Sequence, residues 1–462
     1  MDLRLYNTYS RQKEGFTPLR EGEVRIYTCG PTVYDFAHIG NYRTFLFEDL
    51  LRRTLQLFGY HVVQVMNLTD VDDKIIHAAL TRSVSLETIT APFIKAFFED
   101  LGTLNVEPAE YYPRATEHIP QMLCLIGILL EKGCAYRLGG SVYFDISKFP
   151  SYGNLSHTKA SQNRAFSRLE SDEYEKEEIT DFALWKERKV GEPFWESPFG
   201  LGRPGWHIEC SAMSMHYLGE TLDIHTGGID NMFPHHENEI AQSEAATGQT
   251  FVRYWLHASH LMVEGERMAK SKGNSYTLRD LLAKGFSSKA IRFLLTSAHY
   301  RTPLNFTFDG LVQAEKHVKR IQDFFHRLLE YQGNTEDHPK LPGILRQREN
   351  ELLDSLADDL NISGAHSALF SLMRDINPWL LSSNLSLHDV RSVIGVLRSF
   401  DQVLGLLEEK GEADGWILAL IEERNQARKR QDFSRSDQIR DELIQKGIVL
   451  EDTAQGTRWR KK

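Results

Sequence analysis

Val24 to Cys29 reads VRIYTC, a short run with the composition of a buried strand. After a loop holding Gly30 and Pro31, the residues Phe45, Leu46, Leu50, Leu51 and Leu55 recur at helical spacing until Gly59 stops them. HVVQVMNL, from His61 to Leu68, reads as a second strand. Strand, helix and strand in this order form a β-α-β unit, the element from which parallel sheets with right-handed crossovers are built, so the N-terminal region is predicted to be α/β.

From about Tyr111 to Arg203 the texture changes. A helix is predicted around Met122 to Leu130 and a hairpin over Gly139 to Asp145, followed by a polar stretch with seven acids and one lysine between Leu169 and Asp181, taken as a solvated face. This segment reads as an insertion. Alternating elements resume at Trp206 and run to about Arg301, where a strand-like HLMV, His260 to Val263, precedes a Gly-containing basic turn and is expected to close the parallel sheet. Beyond Phe308 nearly everything is helical. Leu369, Leu372, Met373 and Ile376, and later Val390, Val393, Ile394 and Leu397, keep the spacing of a core-facing stripe, with Asn334 to Pro342 as a polar linker before them. The last fifty residues read as a separate module of two helices and a hairpin turning at Gly456. The boundaries expected are 1–110 and 204–301 for the parallel-sheet domain, 111–203 for the insertion, 302–410 for the helical region and 411–462 for the terminal module.

At roughly 100 to 200 residues per domain, the 462 residues suit this multi-domain reading, and 41% hydrophobic with 26% charged residues excludes fibrous and disordered classes. The nine-residue apolar stretch Met122 to Leu130 is too short to span a membrane. The first twenty residues carry neither a secretory h-region nor a transit-peptide pattern, so a cytoplasmic chain without membrane contact is expected. Four cysteines without a C-x-x-C pair suggest thiols or metal ligands in place of a disulfide framework. The net charge of -10 is uneven, because Ile421 to Lys462 holds 11 Lys and Arg against 8 Asp and Glu. A nucleic acid would meet that end first.

Three clusters can carry chemistry. CGPTVYDFAHIGNYR, Cys29 to Arg43, lies between the first strand and its helix, where open α/β sheets bind ligands. With no glycine-rich phosphate loop in it, a nucleotide there would be held by the helix N-terminus and by His38 and Asn41, with Gly40 letting helix and strand pack closely. ERMAKSKGN, Glu266 to Asn274, is a basic loop whose Lys270 could neutralise charge at a phosphate. The third cluster combines GWHIECSAM, Gly205 to Met213, with HTGGIDNMFPHHENEI, His225 to Ile240. If Pro234 opens a helix, His235 and Glu239 lie four apart on one face. With Cys29 and Cys210 they make a zinc ligand set from three separated elements. His236 and Glu237 face elsewhere and are expected to pack or hydrogen-bond at the surface. Cys124 and Cys134 read as buried reduced thiols. No H-E-x-x-H pair is present, which excludes the zinc-peptidase pattern.

Taken together, these clusters resemble the class I aminoacyl-tRNA synthetases and, among them, the cysteinyl-tRNA synthetase family. HIGN, His38 to Asn41, corresponds to the HIGH motif and RMAKS, Arg267 to Ser271, to the KMSKS loop. NLTDVDDKII, DFALWK, GGIDNMFPHHENEIAQSEA and LEDTAQGTRWR extend the resemblance over nearly the whole chain. Two departures stand out. Asn41 replaces a histidine and can donate a hydrogen bond but never carry charge, and Ala269 lacks a hydroxyl, while Arg267 keeps the cation.

The resemblance implies a Rossmann-like catalytic domain with an insertion, a helical domain and a small α+β anticodon module. It implies activation of L-cysteine by MgATP and transfer to tRNA(Cys). ATP would meet His38, Gly40, Arg267, Lys270 and Ser271, while Thr69 and Asp230 would seat the amino group. Zinc favours thiolate over alcohol, so an ion on Cys29, Cys210, His235 and Glu239 would separate cysteine from serine, with Trp206 walling the pocket. Arg428, Phe433, Asp437 and Asp452 are the candidates for anticodon bases, with Trp459 behind them, and a monomer is expected. Two alternatives stay open: a ligase joining cysteine to an amino sugar on the same core, which would lack the C-terminal helices and module, and an inactive RNA-binding paralogue.

Overall fold

The computed structural model describes residues 2–157, 181–268, 273–333, 336–408, 415–430, 432–446, 448–453 and 456–461. Most of the acidic stretch ending at Asp181 lies outside them, as do Ala269, Lys270 and Ser271. The chain divides into two units, Met1–Leu406 and Leu407–Lys462.

The first unit is built on four parallel strands, β1 (Glu23–Thr28), β2 (His61–Met66), β3 (Leu222–Gly228) and β4 (Val252–Ala258), in the order β4-β3-β1-β2. The chain leaves β1 for β2 on one side and later returns to β1's other side with β3. The carboxyl ends of β1 and β3 therefore flank a topological switch point, where α/β sheets open a crevice. Three helices frame it: α1 (Ile39–Leu57), α2 (Trp206–Leu218) and α3 (Glu237–Thr247).

α1 follows β1 as the spacing predicts, but it is buried on nearly every side. Glu48, Asp49, Arg52 and Arg53 are enclosed along with its leucines. Burying such charges requires pairing. Asp49 meets Arg53 at 2.8 Å and Arg292 at 2.6 Å, and Arg52 meets Glu110 at 2.7 Å. Arg292 also donates to the carbonyls of Leu404 at 2.7 Å and Leu104 at 3.0 Å. The helix end is marked by Gly59 in the left-handed region at φ 88°.

Several expectations are corrected. Leu261–Val263 does not extend the main sheet; it pairs in parallel with Leu304–Phe306 in a separate three-stranded sheet. The hairpin in the insertion begins earlier, with Ala135–Leu138 against Ser141–Phe144, and Phe182–Glu187 and Gly202–Pro204 complete an antiparallel sheet. Its helix, Ile119–Glu131, points Met122, Leu125, Ile126 and Leu129 inward and leaves Cys124 exposed, while Cys134 is partly exposed. The stretch 334–342 ends inside a helix, because Leu341–Ala357 starts at Leu341 with Pro342 in its first turn. Helices Ile362–Leu381 and Leu387–Leu404 carry the predicted stripes.

In the second unit, Gly415–Lys429 and Phe433–Gln445 pack with the antiparallel pair Ile448–Thr453 and Gly456–Lys461 around Ile417, Ile421, Ile439, Leu443 and Ile448. No helix among the described residues is long and apolar enough to cross a membrane.

Candidate active site

A cavity of about 580 Å³ opens at the switch point. Ten residues singled out from the sequence line it: Cys29 beyond β1, His38, Gly40 and Asn41 at the start of α1, Thr69 beyond β2, Trp206 and Cys210 on α2, Asp230 beyond β3, His235 before α3, and Arg267.

His38 is the N-cap of α1. Its Nδ1 accepts from Asn41 N–H at 3.1 Å, and Asn41 Oδ1 accepts from His38 N–H at 3.1 Å, a reciprocal capping box. Because Nδ1 accepts, the ring proton of neutral His38 belongs on Nε2. Gly40 has no room for a side chain, since a Cβ there would come within 2.8 Å of the Met268 methyl and 3.1 Å of the His38 ring. Thr69 Oγ1 accepts from Asn67 Nδ2 at 3.1 Å, and both residues line the cavity. Trp206 is 41% exposed and stacks on His235 with ring centroids 4.3 Å apart, so it faces the cavity and is not a core aromatic.

The four proposed metal ligands converge. One donor atom from each of Cys29, Cys210, His235 and Glu239 lies within 4.8 Å of the others, and all four residues are buried. Pro234 does not open α3 as expected; it sits in a turn, Met232–His236, that leads into the helix. The four-residue spacing survives, with His235 Nε2 3.1 Å from Glu239 Oε1. That oxygen makes no hydrogen bond despite its burial. The contact is close but not aligned for a proton, and His235 Nδ1 meets His207 Nδ1 at 2.8 Å. When His235 is the donor in that bond, its Nε2 keeps a free lone pair beside the unpartnered carboxylate oxygen. Two thiols, an imidazole nitrogen and an orphaned carboxylate oxygen fit a zinc ion.

Burial dominates the electrostatics. His235 is held well below the usual histidine range by burial and then by His207 and His225, and Glu239 is raised by burial against the opposing pull of His225. The hydrogen bond with Cys210 raises the Cys29 thiol, and burial adds to this. For Cys210 the bond with Cys29 pulls downward, but burial and the nearby Glu239 carry the balance upward. Without a cation the thiols keep their protons and the imidazole stays neutral, so metal binding would release protons.

The sequence reading missed a set of histidines behind this group. His236 is fully buried, its Nε2 3.3 Å from Cys29 Sγ and its Nδ1 2.8 Å from His257 Nε2, and His257 Nδ1 lies 2.9 Å from Thr8 Oγ1. His225 Nε2 meets Glu239 Oε2 at 3.0 Å. Cys29, His225, His236 and Glu239 thus form a second converging group, but neither His225 nor His236 lines the cavity. Glycine at 227 makes the room, since a Cβ there would come within 2.8 Å of the His236 ring. Glu237 is also buried and accepts the backbone N–H groups of Gly153 at 2.8 Å and Ser156 at 2.9 Å, so neither it nor His236 is a surface residue. A signal was present: five of the 18 histidines fall between His225 and His260.

In the second unit Arg428, Phe433 and Asp437 are exposed, the last two one turn apart on a helix, and Asp452 pairs with Thr457 across the hairpin.

Family models match three stretches: a class I (C) tRNA synthetase catalytic domain over residues 15–316, a DALR domain over 353–408 and a cysteinyl-tRNA ligase anticodon binding domain over 413–460. The cysteine–tRNA ligase of Protochlamydia amoebophila is 50% identical across 99% of this chain and 98% of its own length. That of Leptospira interrogans serovar Lai is 49% identical across the full length of both. The chain belongs to the cysteine–tRNA ligase family. Among solved structures, Mycobacterium tuberculosis methionyl-tRNA synthetase with methionyl-adenylate shares the fold at a TM-score of 0.61 and 15% identity, covering 86% of this chain and 94% of that one. The family's catalytic match encloses the whole switch-point cavity, and its anticodon-domain match falls within the second unit, the part an amino-sugar ligase would lack.

Proposed function

We propose that this chain is an ATP-dependent ligase that converts L-cysteine and MgATP to cysteinyl-adenylate and pyrophosphate, then transfers the cysteinyl group to the 3′ adenosine of tRNA(Cys). The observation that supports it best is the convergence of Cys29, Cys210, His235 and Glu239 at a switch-point cavity that the capped HIGN turn also lines.

The cysteine carboxylate attacks the α-phosphate in line and pyrophosphate leaves, so no enzyme nucleophile is required and catalysis consists of positioning and charge stabilisation. His38, through Nε2–H, and Asn41, through its amide N–H, donate to phosphate oxygens at the helix N-terminus. Gly40 lets the nucleotide approach the backbone, and Arg267, Lys270 and Ser271 complete the phosphate contacts. Thr69 and Asp230 seat the ammonium, and Trp206 closes the wall beside His235. Cys29, Cys210, His235 and Glu239 hold zinc, which when bound favours the substrate's thiolate over the hydroxyl of serine. Arg428, Phe433, Asp437 and Asp452 meet the anticodon, by stacking and by base-edge hydrogen bonds. The enzyme works as a cytoplasmic monomer.

Incubating the purified chain with radiolabelled cysteine, MgATP and tRNA(Cys) should give acid-precipitable cysteinyl-tRNA. No product with zinc-loaded protein and intact tRNA would refute the assignment.

A further inference from the structure

An imidazole and a guanidinium converge on one carboxylate at the rim of the cavity. Asp230, in the turn Ile229–Asn231 after β3, has Oδ2 3.3 Å from His260 Nδ1 and Oδ1 3.9 Å from Arg267 Nη2. All three residues line the cavity. The backbones of His260 and Arg267 are pinned. The His260 carbonyl accepts from Leu304 N–H at 3.1 Å, while Arg267 pairs with Met262 in an antiparallel ladder and its carbonyl accepts from Asn274 Nδ2 at 3.2 Å. The Arg267 side chain itself is 85% exposed, so its guanidinium can change partner by side-chain rotation with no backbone movement.

His260 engages Oδ2 of Asp230 and leaves Oδ1 on the side of Arg267. That single oxygen faces Arg267 in the structure and would face the amino acid's ammonium in the complex. Two cations cannot both take it at hydrogen-bonding distance without repelling each other. Nucleotide phosphates, when present, offer Arg267 a more strongly charged partner.

We propose that Asp230 exchanges Arg267 for the substrate ammonium, with His260 as the positioning residue, so that amino-acid binding and delivery of the Arg267 guanidinium to ATP are coupled. This rests on the reading that Asp230 seats the ammonium. The coupling is reciprocal: cysteine promotes nucleotide binding by the same factor by which nucleotide promotes cysteine binding. An exposed pair of this kind is weak, so the factor is small, about two- to five-fold.

The test is calorimetric titration of L-cysteine into zinc-loaded enzyme, with and without the Mg complex of α,β-methylene-ATP. Wild type should bind cysteine about two- to five-fold more tightly with the analogue present. Arg267→Gln should bind cysteine that much more tightly than wild type without nucleotide and should no longer respond to the analogue, a gain of affinity that a merely structural residue would not produce. His260→Ala should weaken cysteine binding and His260→Asn, which keeps a donor, should restore it; unchanged binding in His260→Ala would remove His260 from the account. Weaker cysteine binding in Asp230→Asn, together with no tightening in Arg267→Gln, would overturn the exchange alone. Unchanged binding in Asp230→Asn would overturn the seat on which it rests.

Discussion

His366 shows how burial fixes a single residue's charge away from the site. It stacks on Phe293 with centroids 4.6 Å apart, its Nε2 has no hydrogen-bond partner, and burial, with some help from His317, pushes its pKa down to about 4. In the unfolded chain a histidine titrates near 6.5. Between these values the unfolded state binds the extra proton, so stability rises with pH through this window and is lost on acidification from neutrality. At pH 5 the loss from this one residue is about 2 kcal/mol. His366→Phe should keep the stacking and remove the titration, so its melting temperature should fall less than that of wild type between pH 7 and pH 5. Identical slopes would show that His366 is protonated without cost. The same logic makes His236 and His257 acid-sensitive, His236 being held well below the usual histidine range by burial and His257 pushed down to about 3 by burial and then by His225.

α1 shows that one element can serve structure and chemistry with the same atoms. Asn41 closes the capping box through Oδ1 and is proposed to donate to phosphate through its amide N–H. Asn41→Asp keeps the acceptor, removes the donor and adds negative charge. It should therefore leave the melting temperature nearly unchanged while slowing pyrophosphate exchange by on the order of a hundredfold. Asn41→Ala should also lose about 1 kcal/mol of stability. Equal exchange in wild type and Asn41→Asp would remove Asn41 from the chemistry. Two residues on, Arg43 donates to the carbonyls of Ser259 at 3.2 Å, Leu295 at 3.2 Å and Thr302 at 2.5 Å, locking α1 to the segments behind the cavity. The β-α-β unit around α1 was legible because its hydrophobic spacing is local. The orientation of Ile119–Glu131 was not, since its run from Met122 to Leu130 has no polar side to reveal which face is out, and Cys124 lies on the outer one.

At the scale of the whole molecule, long-range pairing decides what a local reading can find. Cys29, Cys210, His235 and Glu239 could be picked from the sequence by ligand type. The partners of Cys29 could not: helical spacing puts His236 on a different face from His235, and only the β3–β4 register, with Gly227 opposite His257, shows where it goes. The first unit ends where Arg292 and Asn105 hold the carbonyls of Leu404 and Gly405 at 2.7 and 3.1 Å. Truncation after Leu406 should therefore leave cysteine-dependent pyrophosphate exchange largely intact and sharply weaken tRNA charging; equal charging by the two forms would refute the anticodon role of the second unit.

Selection of sulfur over oxygen is proposed to occur at the buried Cys29, Cys210, His235 and Glu239 group. Its most direct test compares cysteine- and serine-dependent pyrophosphate exchange in zinc-loaded protein and in protein stripped of zinc, with folding checked by circular dichroism. Loaded protein should activate cysteine and essentially no serine, and stripped protein should lose cysteine activation until zinc is restored. Undiminished cysteine activation after verified zinc removal, with serine still rejected, would contradict the account.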